Sequence, residues 1–380
     1  MRASVLVDVG KMEVREVPRP VAGPSDLLLE VSAVGMCGTD FHIFSGESNY
    51  NLDERGDPRP LREAPQILGH EVAATVVEVG REARGIRAGD RVVIDQGLSC
   101  APQGRSPVCE YCASGASHQC EHYREFGITG LPGGFAQFMA VPAVCAVKTR
   151  ADLDPAEAAM AEPLACVLHS SASVARATSR YAIGASDAES RVRAVLLCGA
   201  GPAGLLFVQV LRRVYGFDGP LLVSEVNAKK RALAEHFGAE AIDPRAADLV
   251  EVVRERTGGR LVEYLIEATG SGAVFAAIPA LVRKQATVLK YGIGYGGESL
   301  EVINRLHWKE PTLLMPVGAS GPFDPQSGPQ VYRDALRLIE ERAIDVRSIL
   351  SHRYQGLDRV PGAFGGEHNH PEYVKGVAIL

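Results

Sequence analysis

Four of the eight cysteines in this 380-residue chain fall in one polar stretch, CAPQGRSPVCEYCASGASHQC, running from Cys100 to Cys120. Thiols at that density form a disulfide knot, a redox switch or a metal site, or meet by coincidence. A second set of ligand-type residues surrounds them. GMCGTDFH supplies Cys37, Thr39, Asp40 and His42, ILGHE supplies His70 and Glu71, and AEPLACVLH supplies Glu162. One thiolate, one imidazole and one carboxylate, from Cys37, His70 and Glu162, make a three-ligand set that leaves a fourth zinc position open, the pattern of a catalytic site. Taken singly, each also has an ordinary reading: a buried thiol, a hydrogen-bonded core histidine, a carboxylate at a helix start.

The third pattern is LLCGAGPAG, in which Gly199, Gly201 and Gly204 fit GxGxxG between an apolar strand and a helix whose first turn carries Pro202. Gly199 permits the turn, Gly201 lets the backbone approach a pyrophosphate and Gly204 allows close helix packing. The helix N-terminus offers free N–H groups to the anion. The next strand ends in SEV, so Glu225 stands about 20 residues on, where an acidic side chain takes the adenosine ribose hydroxyls. A carboxylate there repels a 2′-phosphate, which favours NAD over NADP. Lys229, Lys230 and Arg231 follow closely and offset part of that repulsion, so NADP stays open as the minor alternative.

The elements that must position these groups change character near Glu162. Before it, short β-like runs such as DLLLEVSAVG, EVAATVVEVG and DRVVI alternate with Gly, Pro and Asp turns, as in a barrel-like all-β unit. After it, RAVLLCG, PAGLLFVQVLRRVYG, GPLLVSEV and NAKKRALAEHFGA set the βαβ rhythm of a doubly wound parallel sheet. Beyond about Met315 the texture is mixed again, with an amphipathic helix (VYRDALRLIEERAI) and closing strands such as YVKGVAIL. The expected architecture is α/β: a Rossmann domain over 163–315 inserted into a discontinuous, mostly β domain made of 1–162 and 316–380.

Composition is that of an ordinary globular chain, 46% hydrophobic and 23% charged with a net charge of −6. No basic stripe with interleaved aromatics is present, which argues against nucleic acid as a partner. No run of about 18 apolar residues suggests a membrane span, and the opening MRASVLVDVG turns charged at Lys11, unlike a secretory leader. The expected setting is the cytoplasm. In that reducing compartment a cysteine cluster reads as metal-binding or catalytic in preference to disulfides. Cys145, Cys166 and Cys198 sit in apolar runs and read as inert core thiols.

GMCGTDFH, GHEVAATVVEVG, AGDRVV, the clustered cysteines, EPLACVLH and GAGPAG, in this order, resemble the zinc-dependent medium-chain dehydrogenase/reductase family over nearly the whole chain. CGTD and the Glu of EPL resemble its polyol and threonine dehydrogenase branches more than its simple alcohol dehydrogenases. The resemblance implies a GroES-like catalytic domain, a small-molecule alcohol substrate, a homodimer or homotetramer, and two zinc ions. One zinc would be structural, on a four-cysteine lobe. Cys109, Cys112 and Cys120 match that lobe's last three ligands, whereas Cys100 precedes Cys109 by nine residues in place of the usual three. Cys100 is expected to close the site, with His118 and His122 in reserve.

For the catalytic zinc the resemblance implies Cys37, His70 and Glu162, with Glu71 able to approach or replace a ligand. It assigns the lowered hydroxyl pKa to that zinc and the proton relay to Thr39, the nicotinamide ribose and His42. Hydride passes to NAD, or less favourably NADP. Lys230, Thr269, Gly292 and Lys375 are further expected cofactor contacts, Lys375 with a surface lysine as its alternative. The inserted GESNYNLDERGDPRPLRE, which holds Arg55, Arg59 and Arg62, is either a solvated loop or a substrate lid. A nucleotide-binding protein without hydride chemistry is disfavoured, because Cys37, Thr39, His42, His70 and Glu162 occur together.

Overall fold

A computed structural model describes residues 1–294, 301–319, 321–324 and 328–380. The chain divides into two compact units, Met1–Ala165 with Ala319–Leu380, and Cys166–Gly318.

The first unit opens with an antiparallel pair, β1 (Arg2–Asp8) and β2 (Lys11–Glu16). Then come β3 (Asp26–Gly35), helix α1 (Gly38–Ser45), β4 (Glu71–Val79), β5 (Arg91–Ile94) and the short pair β6 (Gly97–Leu98) and β7 (Arg124–Glu125). A one-turn helix α2 (Glu110–Ala113) lies between β6 and β7, and β8 (Phe138–Pro142), β9 (Ala146–Lys148) and α3 (Pro155–Ala159) follow. Helix α4 (Ala161–Arg176) starts in this unit and carries the chain out of it. In β3, the pattern DLLLEVSAVG buries residues on both faces towards its end, as a central strand must.

In the second unit six parallel strands alternate with helices: β10 (Val195–Cys198), α5 (Pro202–Gln209), β11 (Leu221–Ser224), α6 (Ala228–His236), β12 (Glu240–Ile242), α7 (Leu249–Arg256), β13 (Val262–Glu267), α8 (Gly272–Leu281), β14 (Val282–Lys290), α9 (Glu301–His307) and β15 (Thr312–Leu314). Their order is β12-β11-β10-β13-β14-β15, the doubly wound arrangement expected from the βαβ rhythm. VLLC, LLVS and VEYLIE are buried throughout, because helices cover both faces of a parallel sheet.

The chain returns to the first unit through the short pair β16 (Phe323–Asp324) and β17 (Gly328–Pro329), helix α10 (Gln330–Glu340), β18 (Leu350–Gln355), α11 (Val360–Phe364) and β19 (Lys375–Ile379). β18 and β19 complete a seven-stranded sheet ordered β18-β19-β3-β4-β5-β9, with β8 also on β3. Leu29, Val34, Ile43, Leu68, Val72, Phe135 and Phe364 form its core. Phe41 of α1 packs on Phe364 with ring centroids 4.8 Å apart, and Phe135 meets the same ring at 5.7 Å. Burying Phe135 and Phe364 contributes about 1.5–3 kcal/mol each, and the partly buried Phe41 fixes α1 against the sheet that supplies the other site residues. Among the described residues no helix is long and apolar enough to cross a membrane.

Candidate metal and cofactor sites

Strand register builds the first site. Gly35, the last residue of β3, pairs with Glu71 at the start of β4 and with Val377 in β19. That pairing gathers Cys37, His70, Glu71 and Lys375 at one corner of the sheet. The ligand atoms of Cys37, His70 and Glu71 lie within 4.8 Å of one another. Glycine at 35 is required there, since a Cβ would sit 1.8 Å from Glu71 Oε2. Cys37 caps α1, and its N–H donates to Asp40 Oδ2 at 2.9 Å, while Gly69 N–H donates to Asp40 Oδ1 at 3.2 Å. The buried Asp40 thus ties the α1 N-terminus to the Gly-His-Glu turn and holds its Oδ1 3.3 Å from His70 Nδ1.

Lys375 is the residue whose surroundings most change its reading. It is 2% exposed, and its Nζ donates to Glu71 Oε1 at 2.5 Å and to the Met36 carbonyl at 2.9 Å. A surface lysine is therefore excluded; the register of β19 places this side chain on the metal-site carboxylate. Burial works against its charge, but Glu71 and Cys37 beside it more than offset that and raise its pKa.

The donor set fits zinc. Sulfur, nitrogen and oxygen donors converge, and Glu71 Oε2 is buried with no hydrogen-bond partner. Electrostatics point the same way. Burial lowers the His70 pKa, yet Asp40 and Cys37 outweigh it and hold the imidazole well above its ordinary value. Asp40, Glu71 and the Cys37 sulfur gather beside it, a donor set that a divalent cation would complete.

Glu162 stands outside that group of three. Its Oε1 accepts from Gln96 Nε2 at 3.0 Å, and Gln96 Oε1 accepts the Tyr332 hydroxyl from α10. Beside them, burial pushes the Asp95 carboxyl up to about 8, with Glu125 and Glu162 adding repulsion and the Gly97 N–H opposing. The folded state then keeps a proton that the unfolded chain releases near pH 4, so stability falls as pH rises from about 4 to about 8. Asp95→Asn keeps the shape without the charge. Its stability gain is expected to grow by about 2–4 kcal/mol between pH 5 and pH 8.5. Denaturant unfolding at the two pH values checks this, and a pH-independent gain contradicts it.

The four lobe cysteines form the second group, with the Sγ atoms of Cys100, Cys109, Cys112 and Cys120 within 4.8 Å of one another. Cys109 caps α2 and Cys112 lies one turn on, so both point to one side. The residues between Cys100 and Cys109 loop out and return, leaving Cys100 fully buried with its Sγ 3.6 Å from that of Cys120 and 3.4 Å from the donating Cys109 N–H. His118 is turned to the Tyr123 hydroxyl at 2.8 Å and to Glu125, and neither it nor His122 is in the group. Backbone N–H groups of Cys112 and Glu121 hold the Cys109 thiol down to about 6, while burial and its neighbours push Cys120 up to about 12. A closed set of four sulfurs has the donor chemistry of a structural zinc site.

Of the residues expected to relay the proton, Thr39 Oγ1 lies 3.8 Å from Cys37 Sγ, and His42 Nδ1 lies 2.6 Å from Glu47 Oε2. The inserted segment, whose second residue is Glu47, is exposed at Arg55, Arg59 and Arg62, and Arg62 pairs with Asp8 at 2.6 Å. In the second unit Gly199 has φ +96°, and a Cβ on Gly204 would sit 2.1 Å from the Gly199 carbonyl. Gly201 caps α5 with Pro202 in its first turn. Glu225 accepts from Ala200 N–H at 2.7 Å and from Asn227 N–H at 2.8 Å, which fixes its carboxylate beside the glycine turn. Lys230 N–H donates to the capping Asn227. Thr269 packs against Gly199, Gly292 approaches Gly270 without room for a Cβ, and the buried Glu267 accepts from Thr269 N–H at 2.7 Å.

Residues 23–151 match the alcohol dehydrogenase GroES-like domain and residues 202–341 the zinc-binding dehydrogenase domain. L-threonine 3-dehydrogenase of Pyrococcus abyssi is 31% identical over 353 residues, which cover 93% of this chain and 90% of the relative. The chain belongs to the zinc-dependent medium-chain dehydrogenase/reductase family. It is an alcohol oxidoreductase of that family. L-galactonate-5-dehydrogenase of Escherichia coli is 28% identical over 365 residues, 96% of this dehydrogenase and 94% of the relative. A Sinorhizobium meliloti protein assigned to the zinc-binding dehydrogenases and solved with NADP shares 32% identity and a TM-score of 0.80, over 100% of this chain and 99% of its own. Gln96, Asp95, Glu125 and Tyr332 are site neighbours that motif reading does not find. For Asp95 and Gln96 the signal is the polar pair in VVIDQG, at the end of an otherwise apolar strand; Glu125 and Tyr332 carry none.

Proposed function

We propose that this dehydrogenase oxidises a secondary alcohol in a polyol, sugar alcohol or cyclitol with NAD. The observation that carries the reading is the convergence of Cys37, His70 and Glu71 on one buried corner. These three would hold the catalytic zinc, which supplies a Lewis acid that lowers the pKa of an alcohol hydroxyl towards neutrality. Asp40 orients His70, and Lys375 holds one oxygen of Glu71 so that the other faces the cation position. Thr39 would take the hydroxyl proton as it releases its own through the nicotinamide ribose to His42, which, paired with Glu47, passes it to solvent. A panel of polyols, cyclitols, sugar acids and L-threonine, assayed for NAD reduction, tests the reading. No turnover with any secondary alcohol, or turnover that survives full removal of metal, overturns it.

For the cofactor, the glycine turn with Pro202 takes the pyrophosphate and Glu225 the adenosine ribose. Arg231 and Arg245, the guanidinium groups near Glu225, are both engaged with Asp243, at 3.1 and 2.7 Å. That pairing supports NAD, because both guanidinium groups are turned to Asp243 and a 2′-phosphate would meet the Glu225 carboxylate. Glu225→Ala is expected to lower kcat/KM for NAD by about 10- to 100-fold, the worth of one or two charged hydrogen bonds, and to narrow the bias against NADP. Steady-state kinetics with both cofactors decide it; a higher kcat/KM with NADP in the unaltered enzyme contradicts the assignment.

A further inference from the structure

The polar groups beside the metal corner are arranged with a definite polarity. Gln96 is 2% exposed and Tyr332 fully buried. The Gln96 side-chain oxygen is committed to the Tyr332 hydroxyl, and its nitrogen is left to donate to Glu162 at 3.0 Å. Glu125 also lies close to it. The backbone carbonyl of Gln96 accepts from Phe126 N–H at 3.0 Å, so the main chain is pinned as well. A reversed amide would turn its oxygen on the Glu162 carboxylate and lose the Tyr332 donor. The amide is therefore locked one way. Glu162 lies close enough to Lys375 to help stabilise that ammonium, yet it is not in the group formed by Cys37, His70 and Glu71.

We propose that Gln96, oriented by Tyr332, is a positioning residue that holds the Glu162 carboxylate off the catalytic cation, so that Cys37, His70 and Glu71 alone bind it and a coordination position stays open for substrate. The proposal rests on the zinc reading above and adds to it the device that chooses between two neighbouring carboxylates. Lys375 anchors Glu71 at one edge of the corner; Gln96 restrains Glu162 at the other. With that restraint removed, Glu162 is expected to shift towards the cation and compete for the open position, giving a cation held more tightly and a poorer catalyst.

The test replaces Gln96 by Leu, of similar size but without the donor, and measures three things in the full enzyme: metal content, the rate at which a chelator removes the labile zinc, and the visible spectrum after cobalt takes that zinc's place. Gln96→Leu is expected to slow zinc release and lower kcat, each by about 10-fold or more, with a smaller change in KM and an altered cobalt spectrum. Adding Glu162→Gln should return zinc release to the unaltered rate, a rescue that mere loosening of the fold would not produce. Tyr332→Phe, which removes one oxygen and leaves the ring in place, should shift release in the same direction by a smaller factor and serves if Gln96→Leu does not fold. Unchanged zinc release and cobalt spectrum in these variants, or loss of the labile zinc on Glu162→Gln alone, overturn the proposal. An unaltered enzyme that binds only the lobe cation overturns the zinc reading itself, so the two failures are distinct.

Discussion

Cys37→Ser is expected to abolish turnover, by about 1,000-fold or more in kcat/KM, and to leave the fold largely intact. The loss follows from replacing the one soft ligand of the corner by a hydroxyl, which does not ionise near neutrality and binds zinc poorly. The fold survives because the structural bond at this position comes from the backbone: Cys37 N–H still donates to Asp40, so α1 keeps its cap and Asp40 keeps its place beside His70. Serine is close to cysteine in size, and the side chain is only half-buried, so little core packing is lost. Melting temperature, zinc content and turnover, measured together, separate the outcomes. One zinc lost with melting nearly unchanged and no turnover is the expected set. Retained turnover above a tenth of the original level removes Cys37 from the chemistry.

The opposite pattern is expected for Cys112→Ser. The lobe buries few of its residues; Glu110–Ala113 and Ser117–Gln119 hold none that is buried. With so little core, the lobe is expected to draw its folding energy from a bound metal, and in small zinc modules apparent binding energies are about 10–16 kcal/mol. Cys112→Ser should therefore lose about one zinc per chain and lower stability by several kcal/mol. The protein that remains folded should keep measurable turnover. Cys100 allows a sharper comparison. It is the fully buried member of the four, and its sulfur sits between the Cys109 N–H and Cys120. Cys100→Ser should cost as much zinc and as much stability as Cys112→Ser. If it leaves both unchanged, the lobe is closed by another group and His118 and His122 are the next to replace. If Cys112→Ser instead stops turnover in a fully stable protein, the cluster is catalytic.

The portions of this enzyme legible in its sequence are those whose geometry is local. GAGPAG, with Pro202 at the first helical position and Glu225 at the end of the next strand, specifies a strand, a turn and a helix that neighbouring residues alone can build. Cys109 and Cys112, three apart on one helical turn, face the same side wherever that turn is placed. The buried runs VLLC, LLVS and VEYLIE announce a covered parallel sheet because their hydrophobicity is continuous.

Tertiary structure decided what depends on register between distant strands. That Glu71 and not Glu162 stands with Cys37 and His70 follows from the pairing of Gly35 with Glu71, and the fit depends on a glycine too small to exclude the carboxylate. Lys375 reaches Glu71 across 304 residues of chain because β19 lies beside β3. Gln96 meets Tyr332 across 236 residues because α10 returns to the first unit after the Rossmann fold is complete. Cys100 comes back to Cys109 through a loop whose length obscures the motif. No local period encodes such contacts. They arise when strands choose partners, and a shift of one residue would turn Glu71 to the opposite face of the sheet and leave Lys375 buried without its counter-charge.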